Sequence, residues 1–147
     1  MHNERFLSTW WTLKLALGLV FLLEGIDKFF NLLANWTDYV NPTVLAAVPV
    51  PPEQLVMGVG ILEVLVGIAI LTRWTKLGGY LAVLLLTALA VNVIMMGKFY
   101  DVAVRDLLLA VVAFALARWT EARRAEPVTS DARPLEASQA GLLRLNL

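Results

Sequence analysis

Apolar stretches long enough to cross a lipid bilayer follow one another along the chain, separated by short polar segments. They occupy residues 13–30, 55–72, 77–97 and about 102–119. Roughly 20 apolar residues span the hydrocarbon core as a helix. The pattern therefore predicts helices over about 10–31, 52–72, 77–97 and 102–119. The third stretch is the cleanest, with no formal charge anywhere between 77 and 97. The fourth is the least regular, because its uncharged centre covers only 107–117. A run that short also suits an interfacial or buried helix. A span is preferred, since Arg105 and Asp106 can lie at one headgroup level and Trp119 at the other. The first stretch has the positive start of a signal peptide. It ends in Glu24-Gly-Ile-Asp27-Lys28-Phe-Phe and not in a small-residue cleavage site, so it reads as a retained helix.

The connections are informative. Residues 31–52 hold Asn31, Asn35, Trp36, Asp38, Tyr39, Asn41-Pro42 and Pro49-Val-Pro51-Pro52. Between the prolines, residues 43–48 are apolar but too short to span, and are expected to form one or two interfacial helical turns. Pro51-Pro52-Glu53 carries the signature of a helix start. Residues 73–76 and 98–101 are tight turns. From residue 120 the chain becomes polar, and 120–147 reads as a cytoplasmic tail following a transmembrane domain of 1–119.

Composition agrees with this pattern. The chain of 147 residues is 59% hydrophobic and only 16% charged, with a mean hydropathy of +0.72. Soluble domains run nearer half apolar and a quarter charged. The formal net charge is zero, which gives no footing for nucleic acid. No cysteine is present, which excludes disulfides, thiolate catalysis and cysteine-ligated metals. The single histidine, His2, is terminal, and no metal site is expected. Tryptophans 10, 11, 36, 74 and 119 all fall at the predicted membrane boundaries. Arg5, Lys14, Arg73, Lys76, Arg118, Arg123 and Arg124 fall on one side of the predicted topology, so both termini are expected in the cytoplasm, with a short extracytoplasmic cap between the first two spans. The expected fold is all-α, a transmembrane four-helix bundle.

Ionisable groups at membrane depth cost about 2.5–3.5 kcal/mol each on insertion scales and usually face the bundle interior. Each predicted helix carries a polar group on or beside a face of small residues. Gly60, Glu63 and Gly67 share one face of the second helix, with Glu63 expected near the midplane. Glu24 and Lys28 are spaced i, i+4 at the outer end of the first helix, the favourable order for a pair. Asn92 lies in the outer half of the third helix. In the fourth, Ala103, Asp106, Ala110, Ala113 and Ala117 form a seam that lets helices approach in lipid. Glu63 is expected to pair with Lys28 or Arg105, either as structural glue or as a ligand or proton site. Asp27 is expected to face water or headgroups.

The order Gly18-Leu-Val-Phe-Leu-Leu-Glu-Gly25-Ile-Asp-Lys28, then Gly60-Ile-Leu-Glu63-Val-Leu-Val-Gly67, within four spans, resembles the DoxX/DoxD family of small membrane proteins. The family's motif residues fall on Gly25, Lys28, Gly60, Glu63 and Gly67. The resemblance implies a bacterial or archaeal plasma-membrane protein, in some members a part of quinone-linked enzymes such as thiosulfate:quinone oxidoreductase. On that footing the expected function is a membrane anchor or quinone-proximal subunit of an oxidoreductase complex, with no self-contained catalytic motif. Glu63 is the candidate proton carrier. Glu24, Lys28, Glu63, Asn92, Arg105 and Asp106 are the candidate ligand residues, with quinone the candidate cofactor and an oxidoreductase subunit, the bilayer and further copies of the chain the candidate partners. A solute or ion transporter acting as an oligomer, and a purely structural membrane partner, stand as alternatives.

Overall fold

The computed structural model describes residues 2–125, with side chains from Leu7 onward. His2 and Arg5 are thus described by backbone alone, and the polar stretch after residue 125 lies outside the described residues. All regular structure among the described residues is helical: α1 (His2–Asp27), a 3-10 turn (Trp36–Tyr39), α2 (Pro42–Ala47), α3 (Pro52–Leu71), α4 (Thr75–Met96) and α5 (Tyr100–Ala125). Three helices are long and apolar enough to cross a membrane: α1 from Leu7 to Asp27, α3 and α4. The fourth predicted helix begins slightly earlier than expected and continues well past Trp119. Its last turns, with Thr120, Glu121, Arg123 and Arg124, are helix where a tail was expected. A buried bond explains the extension, since the Trp10 indole N–H donates to Thr120 Oγ1 at 2.9 Å. Trp10 is accordingly a core residue, 8% exposed.

The long helices form a ring in which α1 packs on α3, α3 on α4, α4 on α5 and α5 on α1. Close packing replaces the hydrophobic effect as the force between helices in lipid, and glycine makes it close here. A Cβ at Gly25 would lie 2.8 Å from the Gly60 carbonyl oxygen, and one at Gly60 would lie 2.7 Å from that of Gly25. A turn pair further in, a Cβ at Gly67 would lie 3.0 Å from the Gly18 carbonyl oxygen. The two seven-residue spacings, Gly18–Gly25 and Gly60–Gly67, therefore mate antiparallel. On the other side of the ring, Ala103, Asp106, Ala110, Ala113 and Ala117 are all buried, and a Cβ at Gly79 would meet Ala117 Cβ at 2.9 Å.

The two ends of the ring differ. At one end the N-terminal turns of α1, the α3–α4 turn and the last turns of α5 come together. Lys14 Nζ donates to the Thr72 carbonyl at 2.8 Å, and the Thr75 hydroxyl donates to the free carbonyl of Ile70 at 2.9 Å. At the other end the 28–51 segment folds over the helices as a cap. Asn41 caps α2, its Oδ1 accepting from Thr43 N at 2.8 Å. The short apolar run between the prolines is the helix α2, as its length suggested.

Candidate functional site

Under the cap, the ionisable residues of three helices converge. Lys28 follows the last turn of α1 and is 6% exposed. Glu63 on α3 is 2% exposed, and Asp106 on α5 is 3% exposed. The glycine contact between Gly25 and Gly60 lies next to them in both helices and fixes their register. Lys28 Nζ donates to Glu63 Oε2 at 2.5 Å. Its charge also lies 3.8 Å from the centre of the Trp36 ring, which closes over it from the cap. Beside this pair, Arg105 Nε and Nη2 donate to Asp106 Oδ1 at 3.1 and 3.0 Å, and Arg105 Nη1 stands 3.4 Å from Glu24 Oε1. Both groups line a cavity of about 160 Å³, together with Trp36 and Tyr39.

The pairing corrects one expectation. Glu24 is bridged by Arg105 and not by its helical neighbour Lys28, because Lys28 turns inward to Glu63. Gly67 meets Gly18, and Glu63 is one turn from Gly67 on the side of the cap, about 6 Å along α3 by helical rise.

Asn92 lines the same cavity, but its amide holds the cap. Its Nδ2 donates to the Tyr39 carbonyl at 2.6 Å, and its Oδ1 accepts from Asn41 N at 3.3 Å. Asp27, expected to face water, is 5% exposed. Its carboxylate accepts from Leu32 N at 2.9 Å, from Leu33 N at 3.0 Å and from Trp36 Nε1 at 2.7 Å. It thus folds the chain back at the end of α1 and aims the Trp36 ring at Lys28. Tyr39 stacks on Phe99 at 4.4 Å between ring centres, and Phe99 holds a left-handed backbone with φ of 57°. Asp27, Trp36, Tyr39 and Asn41 are the site residues that the sequence pattern did not single out. The one available signal for the last three was their density within a cap too short to be a domain.

Glu24, Glu63 and Asp106 supply three carboxylates to the cavity, against two cations in Lys28 and Arg105. Every buried side-chain polar atom among the described residues has a hydrogen-bond partner. The arrangement can hold a small polar molecule between two ion-paired groups, and it can hold a proton on a carboxylate whose partner is a cation. Among the described residues no group of histidine, aspartate and glutamate is placed to hold a metal ion.

A family model described as methylamine utilisation protein MauE matches residues 7–104, which takes in α1, the cap, α3, α4 and the start of α5. No DoxX family model matches, so the family suggested by the glycine and charge motifs gives way to this one. No curated protein and no solved structure matches the chain. With three helices of spanning length and a match over most of its residues, the chain is a multi-pass membrane protein and belongs to the MauE family.

Proposed function

We propose that the chain is a plasma-membrane subunit serving the redox side of methylamine utilisation in a bacterium or archaeon. In this reading α5 is a fourth crossing, the cap faces outward, and the cavity beneath it takes the head group of a quinone. The family description supports the process, and the buried Lys28–Glu63 pair facing a cavity carries the site. A cavity of about 160 Å³ is below the roughly 300–1,000 Å³ of sites that enclose a whole drug-sized ligand. It suits one small ring whose tail leaves between helices. A bound quinone supplies an acceptor of electrons and protons. The chain's own part is to offer the Lys28 ammonium as a donor to a ring oxygen, to hold a proton on a Glu63 carboxyl oxygen, and to exclude water with the Trp36 and Tyr39 rings.

The test is binding of a short-chain ubiquinone to the full chain in lipid nanodiscs, read by quenching of tryptophan emission. Glu63→Gln is expected to weaken binding about tenfold, or ~1.4 kcal/mol. Trp36→Phe is expected to remove most of the quenching. Equal binding by wild type and Glu63→Gln would end the proton-carrying role.

A structural reading has its own support, since every buried side-chain polar atom among the described residues is already paired. It expects Lys28→Met/Glu63→Leu to assemble as wild type does and to leave function in the methylamine-utilising cell intact. The quinone reading expects assembly without function.

A further inference from the structure

The opposite end of the ring carries an independent feature. Lys14, Arg73, Arg123 and Arg124 surround a cavity of about 260 Å³ that has no carboxylate among the described residues of its lining. Lys14 is 5% exposed. Its ammonium meets the Thr72 carbonyl and stands 4.9 and 5.0 Å from the Trp10 and Trp11 rings, and none of these carries a formal charge. Arg123 Cζ lies 4.3 Å from the Trp10 ring centre, and Arg124 Nη2 donates to the Arg73 carbonyl at 2.8 Å. Among the described residues the acid of this end, Glu121, is turned to other partners. It accepts from Lys76 at 2.8 Å and from Arg118 at 2.7 Å. Among the described residues these four cations thus meet neutral partners, Lys14 buried and Arg73, Arg123 and Arg124 exposed around it. A buried cation with neutral partners is costly unless an anion completes it.

A second cavity identifies the kind of anion. On the outer surface between α3 and α4 runs a groove of about 950 Å³ lined by apolar side chains, among them Leu65, Ile68, Leu77 and Leu81. Thr72 and Arg73 line both this groove and the basic cavity, so the two adjoin at the α3–α4 turn. A ligand that fills both has a compact anion at one end and a hydrocarbon chain at the other. Basic pockets between membrane helices hold phosphate head groups in this manner. We propose that this end of the protein binds an anionic glycerophospholipid, its phosphate among Lys14, Arg73 and Arg123 and an acyl chain along the α3–α4 groove. The site is separate from the cavity under the cap, and the proposal does not depend on what that cavity binds.

The experiment is native mass spectrometry of the full chain released from detergent with dioleoyl phosphatidylglycerol or dioleoyl phosphatidylcholine. Phosphatidylglycerol is expected to be retained at about one-tenth the concentration that phosphatidylcholine requires. Arg73→Gln/Arg123→Gln is expected to bring the two lipids level, and Arg118→Gln, which removes an exposed charge outside the cavity, to leave the preference intact. Leu77→Trp, which fills the groove, is expected to weaken retention of both lipids. Glycerol 3-phosphate at the same concentration is expected not to displace the lipid. If it does, the site belongs to a soluble anion and the proposal fails. Equal retention of the two lipids by wild type also overturns it. Should the double variant not fold, the wild-type preference is followed from 50 to 500 mM salt. A steep decline supports the assignment, and a preference that does not move refutes it.

Discussion

At the scale of single residues, the protein shows how much the worth of a buried charge depends on its neighbour. Lys28 and Glu63 are nearly sealed from solvent and bonded to each other. Removing one partner leaves the other uncompensated, at a cost of about 3–5 kcal/mol, whereas removing both for apolar residues is often close to neutral. Lys28→Met is therefore expected to lower thermal stability in detergent sharply, and Lys28→Met/Glu63→Leu to restore most of it. Asp27 is a different case. It binds two amides and an indole N–H, and Asp27→Ala orphans them at about 1–3 kcal/mol each if they stay buried. The expected result is a cap cleaved faster by protease between residues 28 and 51, with α3 to α5 unaffected. The candidate site divides along the same line. Ionisable residues within apolar runs are rare enough to be seen in sequence, so Glu24, Lys28, Glu63, Arg105 and Asp106 stood out. Which acid meets which base depends on how α5 is rotated against α1, and nothing local encodes that. Asp27 looked solvated because its partners, Leu32, Leu33 and Trp36, lie in a segment without periodicity.

At the scale of helices, the glycines separate into those that touch and those that do not. A Cβ at Gly25 or Gly60 would run into the carbonyl of the other, while one at Gly58 meets nothing within 4 Å. Gly60→Ala is expected to force α1 and α3 apart at a cost of about 1–3 kcal/mol. Gly58→Ala, on the same helix, is expected to be neutral or to stabilise by up to about 1 kcal/mol through helix propensity. Thermal denaturation of the two variants side by side makes the comparison. The spacing of these glycines was legible from sequence, as was the alanine seam of α5. The length of α5 was not, because its last turns are polar by composition and are held by Trp10 from the far end of the chain. Those turns give a pH signature. Glu121 has its carboxyl held below the ordinary 4.5, first by the hydrogen bond from Lys76. A carboxylate lowered by folding adds stability that is present above its unfolded value and disappears as the pH falls through the folded one. The melting temperature is therefore expected to fall more below pH 4.5 in wild type than in Glu121→Gln. The difference should be small and reduced by salt, as for any exposed pair.

At the scale of the whole molecule, the absence of cysteine makes sidedness directly measurable. Asp38→Cys in the cap and Ala122→Cys near the end of α5 are expected to react with a membrane-impermeant maleimide from opposite faces of intact cells, Asp38→Cys from outside. Reaction of both from one face would remove α5 as a crossing. Hydropathy was enough to show an all-helical membrane protein, since the bilayer dictates segment length. The neighbours in the ring were not readable, because lipid-facing and helix-facing apolar residues look alike in sequence. The contact between α1 and α3 also bears on how the protein is made. Lys28 and its partner Glu63 are 35 residues apart. At about 5–20 residues per second of synthesis, α1 waits roughly 2–7 seconds in the nascent chain before the acid that holds its lysine in the folded protein is available. Until then the acid within reach of Lys28 is Glu24, one helical turn earlier. Assembly of this protein is thus expected to include an exchange of partners, in which Lys28 passes to Glu63 as α3 arrives and Glu24 to Arg105 as α5 follows.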